Sequence, residues 1–183
     1  MAENIITPEF KGCFVRLFKA SGMKQADGSV GEAKYSIKAA FPPIADLSLL
    51  KNEVSKAAKE KWSDKLPKIL RSPFRINGDL DTPIEGIGDD WTVVTFSAKE
   101  NSRPGLVDAN VQDIIDESEV YSGAWYIAQV RAYAYDMVGN KGVAFGLQNV
   151  QKLRDDAPLG AGKVPASKVF SPVSGNTAAD IFG

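Results

Sequence analysis

Residues 121–160 read YSGAWYIAQVRAYAYDMVGNKGVAFGLQNVQKLRDDAPLG, and this stretch decides the fold. Its first part alternates between two kinds of side chain with the period of two that a β-strand requires. Residues 137–140, MVGN, supply a tight turn, because Gly139 and Asn140 tolerate a positive φ. The part that follows predicts a second strand, so we expect a long antiparallel hairpin.

The strand before the turn has two different faces. One face is small and mostly apolar, which suits the tight interior of a small barrel; it holds Ala124, Tyr126, Ala128, Val130, Ala132 and Ala134. The other face is larger and partly cationic; it holds Trp125, Ile127, Gln129, Arg131, Tyr133 and Tyr135. We expect the half around Arg131 and Tyr133 to face a ligand. The alternative is that Tyr133 and Tyr135 are ordinary half-buried strand tyrosines, because aromatic residues favour strands in any case.

The rest of the chain predicts a mainly β protein. Strands are predicted over 12–20, 34–41, 91–99 and from about residue 106 to 108. In the first of them, Cys13, Val15 and Leu17 are predicted to share one face. One amphipathic helix is predicted, capped by Asp46 and running to about Trp62. The pattern of residues 63–90 predicts irregular structure. Five or more strands with one helix fit an OB-fold-like five-stranded barrel, possibly elaborated, and a helix-capped β-sandwich fits nearly as well.

Composition narrows the possible functions. The chain has 183 residues, which suits one domain, and a net charge of −1. It contains no histidine, so His-based general bases, nucleophile pairs and zinc sites are excluded. The lone cysteine, Cys13, is expected to be a small core residue of a protein in a reducing compartment. With no membrane-length apolar run and no signal-peptide layout at the N-terminus, we expect a cytoplasmic location.

The charges are unevenly distributed along the chain. Residues 1–75 hold 14 Lys and Arg against 8 Asp and Glu, residues 76–120 hold 2 against 11, and residues 121–183 hold 6 against 4. Binding to a polyanion therefore requires the basic residues of the first and last thirds to meet on one face. The alternative is a solvated surface without a partner.

Cations and rings on strands favour contact with a nucleic-acid single strand, because cations pair with phosphates and bases stack on rings. Arg16 and Lys38 lie mid-strand, while Lys99 and Arg103 flank a turn as the only cations of the acidic third. The complete set of candidate contacts is Arg16, Lys38, Lys99, Arg103, Trp125, Arg131, Tyr133, Tyr135, Lys141, Lys152 and Arg154.

The positions of the carboxylates in the sequence do not favour a catalytic centre. The acidic residues of 79–90 and 113–119 lie in loop-like sequence, whereas a two-metal nuclease holds its carboxylates on rigid elements. The sequence has no phosphate-binding glycine loop and no dinucleotide fingerprint. We therefore expect no enzyme activity, no metal and no cofactor, and a magnesium-dependent nuclease is the least favoured alternative.

Several blocks resemble phage-encoded single-stranded DNA-binding proteins with an OB-fold. They are SRPGLVD (102–108), EVYSGAW (119–125) and GNKGVAFGLQNVQKLRDDAPLG (139–160), supported by GCFVRLFKA (12–20), KYSIKAAF (34–41) and KWSDKLP (61–67). The resemblance covers roughly residues 10–160, in the same order. It implies a protein that coats transient single-stranded DNA during phage replication, recombination or repair, with little sequence preference and no catalytic centre. The other function left open is a phage structural or protein-interaction module without DNA affinity.

The C-terminal segment is predicted to be a flexible tail over 161–183 after a domain over 1–160. Many single-strand binders end in an acidic tail with a terminal aromatic residue that recruits partners. Here the only acid is Asp180, followed by Ile181 and Phe182, against Lys163 and Lys168. These last three residues are a minimal candidate for contact with phage or host replication and recombination proteins, and a terminus without a partner is the alternative. A homo-oligomer is also possible.

Overall fold

The computed structural model describes residues 3–22, 28–137, 139–159 and 170–172. The predicted loop over 21–33, the predicted turn at Val138 and nearly all of the predicted tail, including Asp180, Ile181 and Phe182, lie wholly or partly outside the described residues. The strands are β1 (Asn4–Ile6), β2 (Phe10–Ser21), β3 (Lys34–Phe41), β4 (Phe74–Ile76), β5 (Thr92–Lys99), β6 (Gly105–Val107), β7 (Trp125–Met137) and β8 (Asn140–Arg154), and the helix is α1 (Ser48–Trp62).

Five strands close into a ring. Their order is β7-β2-β3-β5-β8, and β8 pairs again with β7. All these pairings are antiparallel except β5 with β8, which is parallel. The short strands β1, β4 and β6 pair with β7, β5 and β8 respectively. This confirms the predicted OB-fold-like barrel with one helix, and a closed ring is not a sandwich of two sheets.

The barrel interior is built around aromatic rings. Phe10, Phe41, Phe96, Phe145 and Tyr126 are fully buried, with centroid distances of 5.6 Å from Phe10 to Phe41 and from Phe96 to Phe145. The Tyr126 hydroxyl donates a hydrogen bond to the carbonyl oxygen of Tyr121 at 2.8 Å, so this ring is buried without an unsatisfied polar atom. Each such ring contributes about 1.5–3 kcal/mol to folding through its burial.

The predicted hairpin is the longest paired region of the sheet. The register of β7 and β8 runs from Trp125 opposite Arg154 to Met137 opposite Asn140, and Gly139 has a φ of 72°. The predicted interior face of β7 is buried, while Arg131 and Tyr133 are exposed on the other side. The alternation read from the sequence is therefore confirmed in this strand.

The face prediction for β2 is wrong at Cys13. Between the pairs Cys13–Lys38 and Arg16–Ser36, β2 has one more residue than β3, which is a β-bulge, and Phe14 lies there with a φ of 47°. The extra residue changes the phase of the alternation, so Cys13 faces away from the barrel interior that contains Leu17. It is nevertheless buried, in a second cluster.

Two further expectations need correction. The region 63–90 is not wholly irregular, because it contains β4 and a short 3-10 helix at Asn77–Asp79. Asp46 is not the N-cap residue itself. That position belongs to Leu47, while the Asp46 carboxylate accepts the backbone N–H of Ser48 at 3.0 Å. The carboxylate thus still satisfies one of the free donors of the first turn.

A loop over residues 77–91 folds over the outer side of the sheet and covers Cys13. Ile84 and Ile87 from this loop pack with Cys13 and with residues of β3 and β5. Asn77, fully buried, holds the loop from within: its amide nitrogen donates to the carbonyl of Ile87 at 3.0 Å, and its oxygen accepts the N–H of Ile84 at 2.8 Å. Among the described residues, no helix has the length and apolarity needed to cross a membrane.

Candidate nucleic-acid interface

A continuous cleft crosses the outer face of β2, β3, β5 and β8. Its central part, about 650 Å³, lies over β2, β3 and β5. At one side it meets a depression of about 250 Å³ through Lys38 and Thr95, and at the other a depression of about 340 Å³ through Lys34 and Ser97. We call these three joined depressions the outer cleft. The strand pairing places its walls, because side chains at alternate positions of β3 and β5 all point to this side.

The outer cleft is strongly cationic although the chain is not. The charged residues that line its described part are Arg16, Lys34, Lys38, Arg71, Arg75, Lys99, Arg103 and Glu32. None of these seven cations lies within 4.0 Å of a carboxylate in the described part of the chain, whereas Lys11, Lys56, Lys141, Lys152 and Arg154 all do. The charges of the cleft are therefore available to an anionic ligand.

Aromatic rings lie along the same cleft. Phe14 and Tyr133 are 52% and 44% exposed, and Tyr135 lines one end. Opposite Tyr135 on β8 is Gly142, where a Cβ would meet the Tyr135 hydroxyl oxygen at 2.5 Å. The small residue thus lets Tyr135 lie against the strand. Burial, and secondarily the neighbouring Tyr135, raises the pKa of Tyr133, so its hydroxyl is neutral at physiological pH.

Six of the residues chosen from sequence line the outer cleft; they are Arg16, Lys38, Lys99, Arg103, Tyr133 and Tyr135. Arg131 lies beside it, exposed and opposite Gly146 of the cleft wall. Lys141, at the start of β8, is 3.8 Å from Asp136, and its carbonyl accepts the N–H of Arg71. The strand pairing therefore brings residues from four separate segments together.

Trp125, Lys152 and Arg154 lie elsewhere, at the opposite end of the hairpin. The guanidinium of Arg154 is 4.7 Å from the Trp125 ring centroid, and Lys11 and Trp91 also approach that ring. Trp125 is partly buried, whereas Phe14 and Tyr133 are exposed.

Ion pairs bind this far end together. Lys152 is buried, with its ammonium 2.6 Å from Asp155 and 3.2 Å from Glu119, and Arg154 pairs with Glu9. The Trp125 indole N–H donates to Asp156 at 2.8 Å. That bond, with the Ala157 N–H and Lys11, lowers the pKa of Asp156 to about 2. These contacts join β2, β7 and β8, and they give the three residues a structural role.

Sequence reasoning missed several residues of the cleft. Lys34 has the same parity as Lys38 in the predicted strand 34–41 but is not among the candidate contacts, and Arg71 and Arg75 lie in the region 63–90, for which the pattern predicts no regular element. The pairing of β4 with β5 could not be read from the local pattern, although the run of cations and prolines at 65–75 was a signal. Phe14 is not among the candidate contacts, because a bulge is not visible in an alternating pattern.

In the described residues no three His, Cys, Asp or Glu side chains are grouped so that they could hold a metal ion. The acidic residues of 79–90 lie in the loop held by Asn77, with Asp79 and Asp81 exposed beside Leu80 at one end of the cleft.

A small β-barrel with a cationic, ring-lined outer face defines a class, the OB-fold-like proteins that bind nucleic-acid single strands. A family model described as "Enterobacter phage Enc34, ssDNA-binding protein" matches residues 3–182. The chain belongs to this family of single-stranded DNA-binding proteins. The match supports the DNA-binding hypothesis rather than the structural-module alternative, and it extends beyond the region 10–160 in which the sequence blocks were recognised.

Solved structures show the same fold. The single-stranded DNA-binding protein from bacteriophage Enc34 in complex with ssDNA has a TM-score of 0.69 and 22% identity, over 86% of this chain and 89% of that chain. Another structure of the Enc34 protein has a TM-score of 0.63 and 22% identity, over 92% and 90%. gp2.5, a single-stranded DNA-binding protein encoded by bacteriophage T7, has a TM-score of 0.59 and 13% identity, over 97% and 100%. No curated protein sequence is significantly similar.

Proposed function

We propose that this chain is a non-enzymatic, sequence-tolerant single-stranded DNA-binding protein that coats and protects DNA during phage replication, recombination or repair in the cytoplasm of the infected host. The observation that carries the proposal is the outer cleft, where seven cations without described carboxylate partners surround exposed rings. Family membership supports it independently of this geometry.

The chemistry of the cleft suits a single strand better than a duplex. Rings can stack only on bases that are unpaired and turned outward, because in a duplex the faces of the bases are covered. The cations contact phosphates, which are the same in every sequence, so binding needs little base recognition. The polar neutral residues of the cleft floor, Ser36, Thr95 and Ser97, are small and leave the rings and cations accessible.

Fluorescence anisotropy of a labelled oligo(dT) of about 30 nucleotides, single-stranded and annealed to its complement, tests the proposal at two salt concentrations. We expect preferential binding to the single strand that weakens as salt rises, because phosphate contacts release counterions. Absence of single-strand binding at low salt would contradict the proposed function.

We also propose that residues 1–160 form the DNA-binding domain and that Asp180, Ile181 and Phe182 in the segment 161–183 contact replication or recombination proteins. In the full-length chain, replacing these three residues with alanine should leave DNA affinity unchanged and should weaken capture of a host or phage replication protein. A large loss of DNA affinity would contradict this division of roles.

A further inference from the structure

We propose that Phe14 is a base-stacking platform of the outer cleft, covered by the ammonium of Lys38, which an arriving base displaces. This inference rests on the proposed function and assigns specific residues to it. Phe14 of β2 and Lys38 of β3 lie on paired strands, and both line the central part of the cleft.

Phe14 is poorly explained as a structural residue. More than half of its surface is exposed, and it belongs to neither buried cluster. Its φ of 47° is uncommon for a residue with a large side chain, and such strain is typical of binding sites. Phe14 lies in the β-bulge, and its ring lines the central part of the cleft. The residue with the strained backbone is therefore also one whose side chain is exposed in the cleft.

The Phe14 ring already carries a cation. The Lys38 ammonium is 5.2 Å from the centroid of this ring, which is within the range of a cation–π contact. Among the described residues no carboxylate forms an ion pair with Lys38, so no such salt bridge opposes its release from the ring.

DNA binding then replaces the cation–π contact with two contacts, one to a base and one to a phosphate. A base takes the face of the ring, and the released cation moves to the phosphate of the same nucleotide. The exchange couples stacking to phosphate neutralisation, and it keeps the exposed Phe14 ring covered while no DNA is bound. Substitutions of Phe14 and Lys38 should therefore have coupled effects on the affinity for DNA that carries bases, and independent effects on the affinity for DNA without bases.

The test compares wild type, Phe14→Leu and Lys38→Met on two ligands, oligo(dT) of about 30 nucleotides and an abasic deoxyribose-phosphate strand of the same length. Phe14→Leu should weaken oligo(dT) binding by about 5- to 150-fold without changing the salt slope, and should not affect abasic-strand binding. Lys38→Met should weaken both and lower the salt slope by about 0.7. Phe170→Leu, at an exposed phenylalanine outside the cleft lining, is the matched control and should behave as wild type.

Different results would overturn the proposed function and the stacking role of Phe14. If wild type binds neither ligand, the proposed function is overturned. If wild type binds oligo(dT) and Phe14→Leu binds it equally well, or loses the same factor on the abasic strand, the stacking role is overturned. Phe14→Asn provides a folding control, because asparagine tolerates a positive φ. It should melt no lower than wild type and still lose oligo(dT) affinity.

Discussion

The side chain of Asn77 holds the loop over residues 77–91 together. Its side chain makes hydrogen bonds to the backbone of Ile84, Ile87 and Gly88, and it is fully buried. The loop it holds contributes Leu80 to one end of the cleft. The amide of Asn77 therefore holds a loop that shapes one end of the outer cleft.

Replacing Asn77 with alanine should destabilise the protein by about 1–3 kcal/mol, because the buried N–H of Ile84 and several carbonyls lose their partner. Chemical denaturation followed by tryptophan fluorescence measures this change. Asn101→Ala, at an exposed asparagine, is the control and should stay within about 0.5 kcal/mol of wild type. Equal stability of Asn77→Ala and wild type would show that the loop is held by other contacts.

Asp156 makes the stability of the far end depend on pH. Its pKa falls from 3.8 to about 2 in the folded protein, first because of the hydrogen bond from Trp125. A depressed carboxyl pKa stabilises the fold above the ordinary pKa, and this stabilisation is lost as the pH falls through the folded pKa.

Asp156→Asn should therefore be less stable than wild type at pH 7, and the difference should shrink as the pH falls from about 4 to about 2. Urea midpoints at pH 7, 4 and 2.5 measure it. Asp64→Asn, an exposed carboxylate without an ion pair to a described cation, is the control. A difference that stays constant over this range would mean that the charge of Asp156 does not contribute.

At the scale of elements, the pairing of β7 with β8 shows how closely the cleft depends on strand packing. Gly142 lies where a Cβ would meet the hydroxyl oxygen of Tyr135 at 2.5 Å and the carbonyl oxygen of Arg71 at 2.7 Å. At Gly146, four residues further along β8, the nearest atom to a Cβ is 3.7 Å away. The two glycines therefore differ in how much space they leave.

Gly142→Ala should destabilise the protein by about 1–3 kcal/mol and weaken single-stranded DNA binding, because either Tyr135 or the segment at Arg71 must move. Gly146→Ala is the matched substitution and should change stability by no more than about 0.5 kcal/mol. Thermal melting and the anisotropy assay measure both. Similar behaviour of the two variants would contradict the close approach at Gly142.

The elements differ in how far sequence could predict them. The faces of β3, β5 and β7 follow from strict alternation, since each strand has one side in the barrel interior. The bulge at Phe14 and the short strand β4 could not be predicted, because both depend on pairing with a partner strand distant in sequence. Trp125 and Tyr133 share one face of β7, yet only the fold shows that Arg154 lies over the Trp125 ring and that Tyr133 lines the cleft.

At the scale of the whole molecule, the central fact is a separation of charge. The chain has a net charge of −1, yet the described lining of the outer cleft has seven cations and one carboxylate. In the folded chain, basic residues from the first 75 positions and from the turn near Arg103 lie together in the outer cleft. A near-neutral chain therefore presents a local surface that attracts a polyanion.

The most direct test of this account removes three charges from the cleft and, in a second variant, three from elsewhere. The cleft variant is Arg16→Ala with Lys38→Ala and Arg75→Ala. The control is Lys51→Ala with Lys59→Ala and Lys61→Ala, three exposed lysines of α1. We expect the cleft variant to bind oligo(dT) more weakly and to lose about 2 from its salt slope, at about 0.7 per phosphate contact, while the control keeps wild-type affinity and slope. Equal effects of the two variants would show that DNA binding follows total charge, and would contradict the assignment of the outer cleft as the binding surface.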